Sequence, residues 1–141
     1  MRVFLDTNVL FSGLYSPVGA PNRVLEAASG GAFQLVVSAN VLGELVRNVR
    51  NKAPHLLVDV NEFLNGASIE VVESPPASEL EGWHDAGFGS DAPIIAAAVS
   101  AEVDYFCTGD RRLLGDAERG KLGRLRVVSP AELIVLLEAA G

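Results

Sequence analysis

Four acidic residues stand out by where they fall along the chain: Asp6, Glu44, Asp91 and Asp110. Asp6 ends the apolar run Arg2 to Leu5, and Asp110 follows Thr108-Gly109, where the glycine lets the backbone turn sharply. Carboxylates gathered in one cleft repel one another, and two unit charges about 4 Å apart cost roughly 4 kcal/mol at an effective dielectric near 20. A fold keeps such a group where a cation occupies it or where function requires it. Oxygen ligands without His or Cys select hard cations, so Mg²⁺ or Mn²⁺ rather than Zn²⁺. Ions held by carboxylates suit phosphodiester hydrolysis, because they acidify the attacking water and stabilise the leaving oxygen. In this reading Asp6 and Asp110 are the main ligands, and Asp91 bridges or binds a second ion. Glu44 ligates through water or orients the nucleophile. Each residue alone has a plainer role. Asp6 and Asp110 can cap helices, Asp91 can complement a helix dipole, and Glu44 can be an ordinary surface glutamate.

The elements that must position these acids follow from periodicity. Arg2 to Leu5, Gln34 to Val37, Ile69 to Val72, Val103 to Thr108 and Leu125 to Val128 are short apolar runs that read as strands. Helices are expected over 8–15, 20–28, from Ser38 or Asn40 onward, 55–64, 90–101 and 131–139. Val41, Leu42, Leu45, Val46 and Val49 form an i, i+3/i+4 stripe on the third of them. Pro54 precedes the fourth and Gly66 stops it. The stretch from Ser74 to Gly89, rich in proline and glycine, reads as mostly loop, and Ser90 as the cap of the helix that carries Asp91. Arg111 to Leu114 reads as a short helical turn. Strands that are apolar throughout and alternate with helices predict a parallel sheet covered on both faces, a three-layer α/β/α fold with five parallel strands. Such sheets place their chemistry outside the carboxyl ends of the strands, where the strand order switches. All four acids are expected at that edge.

The 141 residues suit one domain spanning 1–141, with 49% hydrophobic residues to fill its core. Cys107 is the sole cysteine, so an intramolecular disulfide is impossible, and the expected location is a reducing cytoplasm. No apolar run approaches the roughly 20 residues of a membrane span, and a carboxylate at position 6 argues against a signal peptide. The net charge of −7 is unusual for a protein that meets phosphate backbones. Bound divalent ions offset part of it. The basic residues are also clustered, with Arg111, Arg112, Arg119, Lys121, Arg124 and Arg126 near one end and Arg47, Arg50 and Lys52 after Glu44.

Val3-Phe4-Leu5-Asp6-Thr7-Asn8-Val9-Leu10, Ser38 with Glu44, Asp91-x-x-Ile94-x-Ala96-Ala97-Ala98 and Tyr105-Phe106-Cys107-Thr108-Gly109-Asp110 together resemble the PIN-domain ribonucleases. The resemblance covers essentially the whole chain and is nearest to the branch holding the toxins of bacterial toxin–antitoxin pairs, the VapC-like proteins. It implies Mg²⁺- or Mn²⁺-dependent endoribonuclease activity on RNA and control by a cognate antitoxin protein. Asp6, Glu44, Asp91 and Asp110 match the family's catalytic and metal-binding positions, with Asn8 and Thr108 as supporting polar groups. Many relatives carry a further acid where this chain has Ser90, and the preceding segment from Trp83 to Gly89 is individual.

Other readings are weaker. A haloacid-dehalogenase-type phosphatase also places Asp after its first strand, but it needs an acid two residues on, where this chain has Asn8, and a lysine that neither Lys52 nor Lys121 supplies in place. A receiver-like signalling domain lacks its acid pair and lysine here. A PIN-like module that binds RNA or protein without catalysis would be marked by an altered acid, and none of the four is altered. His84 and Asp85 read as exposed loop residues, His55 as a helix start, and Cys107 as a small buried apolar residue. The apolar stripe between Asn40 and Leu64 offers a face for a second copy or an antitoxin helix, although core packing accounts for much of it.

Overall fold

Arg2–Leu5 forms strand β1, in which Val3, Phe4 and Leu5 are all fully buried. A strand with no exposed face has to lie inside a sheet covered on both sides. The computed structural model describes residues 1–140 and shows that sheet. Its other strands are β2 (Gln34–Ser38), β3 (Ile69–Val72), β4 (Tyr105–Cys107) and β5 (Val127–Val128). They are parallel throughout and run in the order β3-β2-β1-β4-β5. Chain order therefore switches at β1, which pairs with β2 on one side and β4 on the other. Phe4 lies opposite Phe106 in the β1–β4 register, and the two rings stack with centroids 5.5 Å apart. β3, at one edge, leaves Glu70 and Val71 exposed.

Helices α1 (Thr7–Tyr15), α2 (Ala20–Ser29), α3 (Ala39–Lys52), α4 (Leu57–Gly66), α5 (Ala77–Asp85), α6 (Ala92–Ser100), α7 (Arg111–Glu118) and α8 (Pro130–Ala140) complete an α/β/α arrangement. The Ser38 hydroxyl accepts from the Val41 N–H at 3.2 Å, so Ser38 rather than Asn40 caps α3. Val41, Leu45 and Val49 from the stripe of that helix are fully buried, so they belong to the core rather than to a docking face. α6 packs on β2, α3 and α5, while α2 packs on α1 and α8. Among the described residues no helix is long and apolar enough to cross a membrane.

The segment expected to be loop contains α5. Its prolines, Pro75 and Pro76, precede the helix, and Glu79 sits in the first turn, where an acid favours the dipole. Gly82 is tolerated within it, and Trp83 packs edge-on against buried Phe88 with centroids 5.6 Å apart. Ser90 is not the cap of the next helix. It lies in a single 3-10 turn, Gly89–Asp91, and Asp91 stands at the junction with α6. The turn at Arg111 extends to a full helix because Leu113 is buried and Asp116, also buried, binds Arg119 at 2.7 Å.

The close approach of α1 to α2 depends on Gly13. A methyl group there would lie 2.6 Å from Leu25 Cδ1 and 2.9 Å from the Pro21 carbonyl oxygen. Gly13→Ala should therefore destabilise the protein by about 1–3 kcal/mol even though alanine is the better helix former. Urea denaturation measures this, and an unchanged or raised midpoint would contradict the packing.

Candidate active site

Asp6 follows β1 and Thr108-Gly109-Asp110 follow β4, the two strands that meet at the switch in strand order. The Asp6 N–H still donates to the Cys107 carbonyl at 2.9 Å, which carries the β1–β4 ladder up to the sheet's rim. Asp6 is 7% exposed, and both oxygens of its carboxylate accept hydrogen bonds. The Thr7 N–H donates to Oδ1 at 2.8 Å, while the Thr108 hydroxyl at 2.8 Å and the Asn8 amide at 3.2 Å donate to Oδ2.

Thr108 is the junction of the site. The residue has no solvent exposure, and its hydroxyl donates to Asp6 while accepting from the Asp110 N–H at 3.0 Å and the Asn8 amide at 3.3 Å. The Asn8 carbonyl oxygen in turn accepts from the Gly109 N–H at 2.8 Å. A side chain at Gly109 would press on that oxygen from 3.3 Å, so the turn and Asn8 fit each other closely. Asp110 caps α7 by accepting from the Arg112 N–H at 2.8 Å. Capping leaves the rest of the carboxylate available, so the plain role does not exclude a chemical one. Glu44, in the second turn of α3, accepts from the Thr7 hydroxyl at 2.9 Å.

The four acids act on one another. Burial pushes the Asp6 carboxyl from the usual 3.8 up to about 6, and the charges of Asp91 and Glu44 add to the rise against the hydrogen bonds from Thr108 and Thr7. Asp91 is also raised, first by burial, then by Asp110 and Glu44, with Arg112 pulling the other way. Among the described residues no basic side chain relieves Asp6. The acids are not closed into a cage: among the described residues no three His, Cys, Asp or Glu side chains are gathered tightly enough to hold a metal ion as they stand. The donor set fits a hard divalent cation, being all oxygen, acidic and uncompensated at Asp6.

A pH prediction follows from Asp6. The folded protein keeps its proton up to about pH 6, whereas the unfolded chain releases it near 3.8. The native state thus binds more protons across that window, and metal-free stability falls as pH rises through it. Asp6→Asn removes this slope. Its stability relative to wild type should grow by roughly 2 kcal/mol between pH 4 and 7 in chelator. Parallel melting curves for the two proteins across that range would contradict it.

Sequence reading does not single out Thr7, a buried residue whose hydroxyl orients Glu44. The signal is a hydroxyl residue directly after the strand-end acid, but only the fold brings α1 beside α3. Arg112 belongs by sequence to the basic cluster, whereas in the fold it offsets Asp91 and donates to the Gly87 carbonyl at 3.3 Å. Arg119 and Lys121 are partly taken up by Asp116. His55, His84 and Asp85 are exposed, with His84 and Asp85 on α5 rather than in a loop. Cys107 is fully buried and its thiol is pushed up to about 12, chiefly by burial, so it stays protonated. A larger cavity of about 580 Å³, bordered by Trp83, Val99, Leu122 and Leu125, contains none of the four acids.

A family model described as PIN domain matches residues 2–112, a stretch that contains all four acids. Solved structures share the architecture. A chain in the crystal structure of VapBC2 from Rickettsia felis bound to a DNA fragment from their promoter aligns with a TM-score of 0.68 at 17% identity, covering 92% of this chain and 98% of that one. PAE2754 from Pyrobaculum aerophilum aligns with a TM-score of 0.69 at 20% identity, covering 99% of this chain and 90% of that one. At these identities the likeness is one of fold. No curated protein sequence matches the chain.

Proposed function

The chain belongs to the PIN domain family, and from that premise we propose that it is a divalent-metal-dependent endoribonuclease, the toxin of a toxin–antitoxin pair. The observation that carries the nuclease reading is the buried, uncompensated Asp6 at the strand-order switch, with Asp91 and Glu44 close enough to disfavour its charge. Asp6, Asp91, Asp110 and Glu44 would hold the cation, Mg²⁺ or Mn²⁺. When bound, such an ion supplies Lewis-acid stabilisation of the phosphate and a more acidic water. The protein's own contribution is orientation. Thr108 and Asn8 aim Asp6, the Arg112 N–H aims Asp110, and Thr7 aims Glu44. Residues locked by hydrogen bonds before substrate arrives need little reorganisation during reaction.

The exposed basic residues, Arg111 and Arg112 beside Asp110 and Arg47 and Arg50 beyond Glu44, flank the acids and offer a path for RNA phosphates despite the acidic net charge. The toxin reading is supported by the structural likeness to the VapBC2 chain. It makes a cognate antitoxin the expected protein partner and the cytoplasm the expected location.

Melting with and without metal tests the site. A ligand at a hundred times its Kd adds about 2.7 kcal/mol, which for a chain of this size is on the order of 5–10 °C in Tm. Mn²⁺ or Mg²⁺ should raise the wild-type Tm by that much, and Asp6→Asn should lose most of the rise. An equal rise in both proteins would place the ion elsewhere. Metal binding without cleavage of any RNA pool would leave a binding module instead of a nuclease.

A further inference from the structure

Beside the acids the carboxyl edge of the sheet remains open. A cavity of about 340 Å³ lies between α1, the first turns of α2 and α8, and the turn after β4. Val9 and Ser12 of α1, Pro21 of α2 and Pro130 of α8 face Gly109 and Asp110 across it. Its volume is near the lower end of the roughly 300–1,000 Å³ typical of ligand pockets, room for one nucleoside but not a base pair.

The walls carry two kinds of chemistry. Half-buried Pro21 presents an aliphatic face, with buried Val9 and Pro130 at the floor, and the prolines carry no N–H that a ligand would leave unpaired. Asn8 also borders the cavity, but its amide is engaged by Asp6, Thr108 and Gly109. The exposed Ser12 hydroxyl is the polar group left to pair, and it can donate and accept. Asp110 is both a wall of this cavity and one of the four acids, so an occupant adjoins the acids directly. A ring seated on an apolar floor, an edge paired with Ser12 and a linked phosphate reaching the acidic rim together fit one nucleotide of a strand whose phosphate lies at the acids.

We propose that this cavity is a nucleoside subsite flanking the scissile phosphate, and that Ser12 is its specificity-determining residue, selecting the nucleotide at one position beside the cut. The choice of ligand rests on the nuclease reading above. A water-filled crease between helix ends is the plainer alternative, and the test separates the two.

Amide NMR spectra of the Mg²⁺-loaded protein are titrated with AMP, GMP, CMP and UMP for wild type, Ser12→Trp and Ser12→Ala. The Val9, Ser12 and Gly109 amides should shift, with one nucleotide preferred. Ser12→Trp, which fills the cavity from an exposed position, should weaken binding about ten-fold or more, and Ser12→Ala should narrow the preference among the four. Both variants should keep the metal-induced rise in Tm. On a randomised RNA pool, Ser12→Ala should flatten the preference at one position next to the cut. Absence of shifts at these amides in wild type, or equal affinity in Ser12→Trp, overturns the subsite. Cleavage that continues with unchanged preference in both variants overturns it too while sparing the nuclease. Nucleotide binding at these amides without any RNA cleavage overturns the nuclease and, with it, the cavity's place beside a cut, leaving a nucleotide-binding site.

Discussion

Asp6→Asn should lower metal-dependent RNA cleavage by about a thousand-fold or more, equivalent to roughly 4 kcal/mol of lost transition-state stabilisation. The substitution keeps the side chain's size but removes the charge at the one acid that lies deepest in the edge and has no basic neighbour. It also puts an amide where the Thr108 hydroxyl and the Asn8 amide both donate. In one orientation the new NH₂ group faces those two donors, and in the other it faces the Thr7 N–H. Wild-type cleavage should itself fall on acidification, at a pH that moves down as metal concentration rises, because a proton on Asp6 competes with the ion there. Single-turnover cleavage of an RNA pool, with circular dichroism to confirm folding, measures both effects. A folded Asp6→Asn protein that cleaves within ten-fold of wild type would remove Asp6 from the machinery.

Thr108→Val is the second large effect, and it acts through other residues. The threonine is buried, and its hydroxyl serves Asp6, Asp110 and Asn8 at once. Valine is close in shape but leaves the Asp110 N–H and an Asp6 oxygen short of a partner, at a cost of about 2–3 kcal/mol in stability. Orienting residues around a metal-binding group typically contribute 10–100-fold to affinity or activity, so cleavage should drop by about that factor, with a matching loss in Mn²⁺ affinity. Thr108→Ser keeps the hydroxyl and should restore both properties to near wild type. If serine is as impaired as valine, the methyl packing rather than the hydroxyl explains the residue. Urea denaturation and metal titration separate the two.

How much of this is legible in the sequence depends on the range of the interaction. β1 and β2 read clearly because uninterrupted apolar runs have one place to go. β4 and β5 are shorter than their apolar runs, because a strand extends only as far as its neighbour offers a ladder to join. α5 is hidden because local punctuation by Pro75, Pro76 and Gly82 looks the same whether it bounds a helix or fills a loop. The Trp83–Phe88 contact exists only once the chain is folded. Ser90 resembles a cap by residue type, yet the 3-10 turn at Gly89–Asp91 moves the helix start past it.

Asp6, Asp91 and Asp110 stand out by local sequence, because an acid after a strand or at the start of a helix is placed by elements that its immediate neighbours define, whereas Glu44 rests most on the family resemblance. Strand alternation then assigns Asp6 and Asp110 to one edge, because parallel strands all end on the same side. Nothing local shows that β1 and β4 lie side by side, so that one threonine hydroxyl bonds both Asp6 and the backbone of Asp110. Nor does it show Thr7 reaching Glu44, or burial lifting Asp6 to about 6. Hydrogen bonds and desolvation depend on distances between residues as far apart as Asp6 and Thr108, 102 positions along the chain. Those distances are set by packing of the whole sheet rather than by any local run.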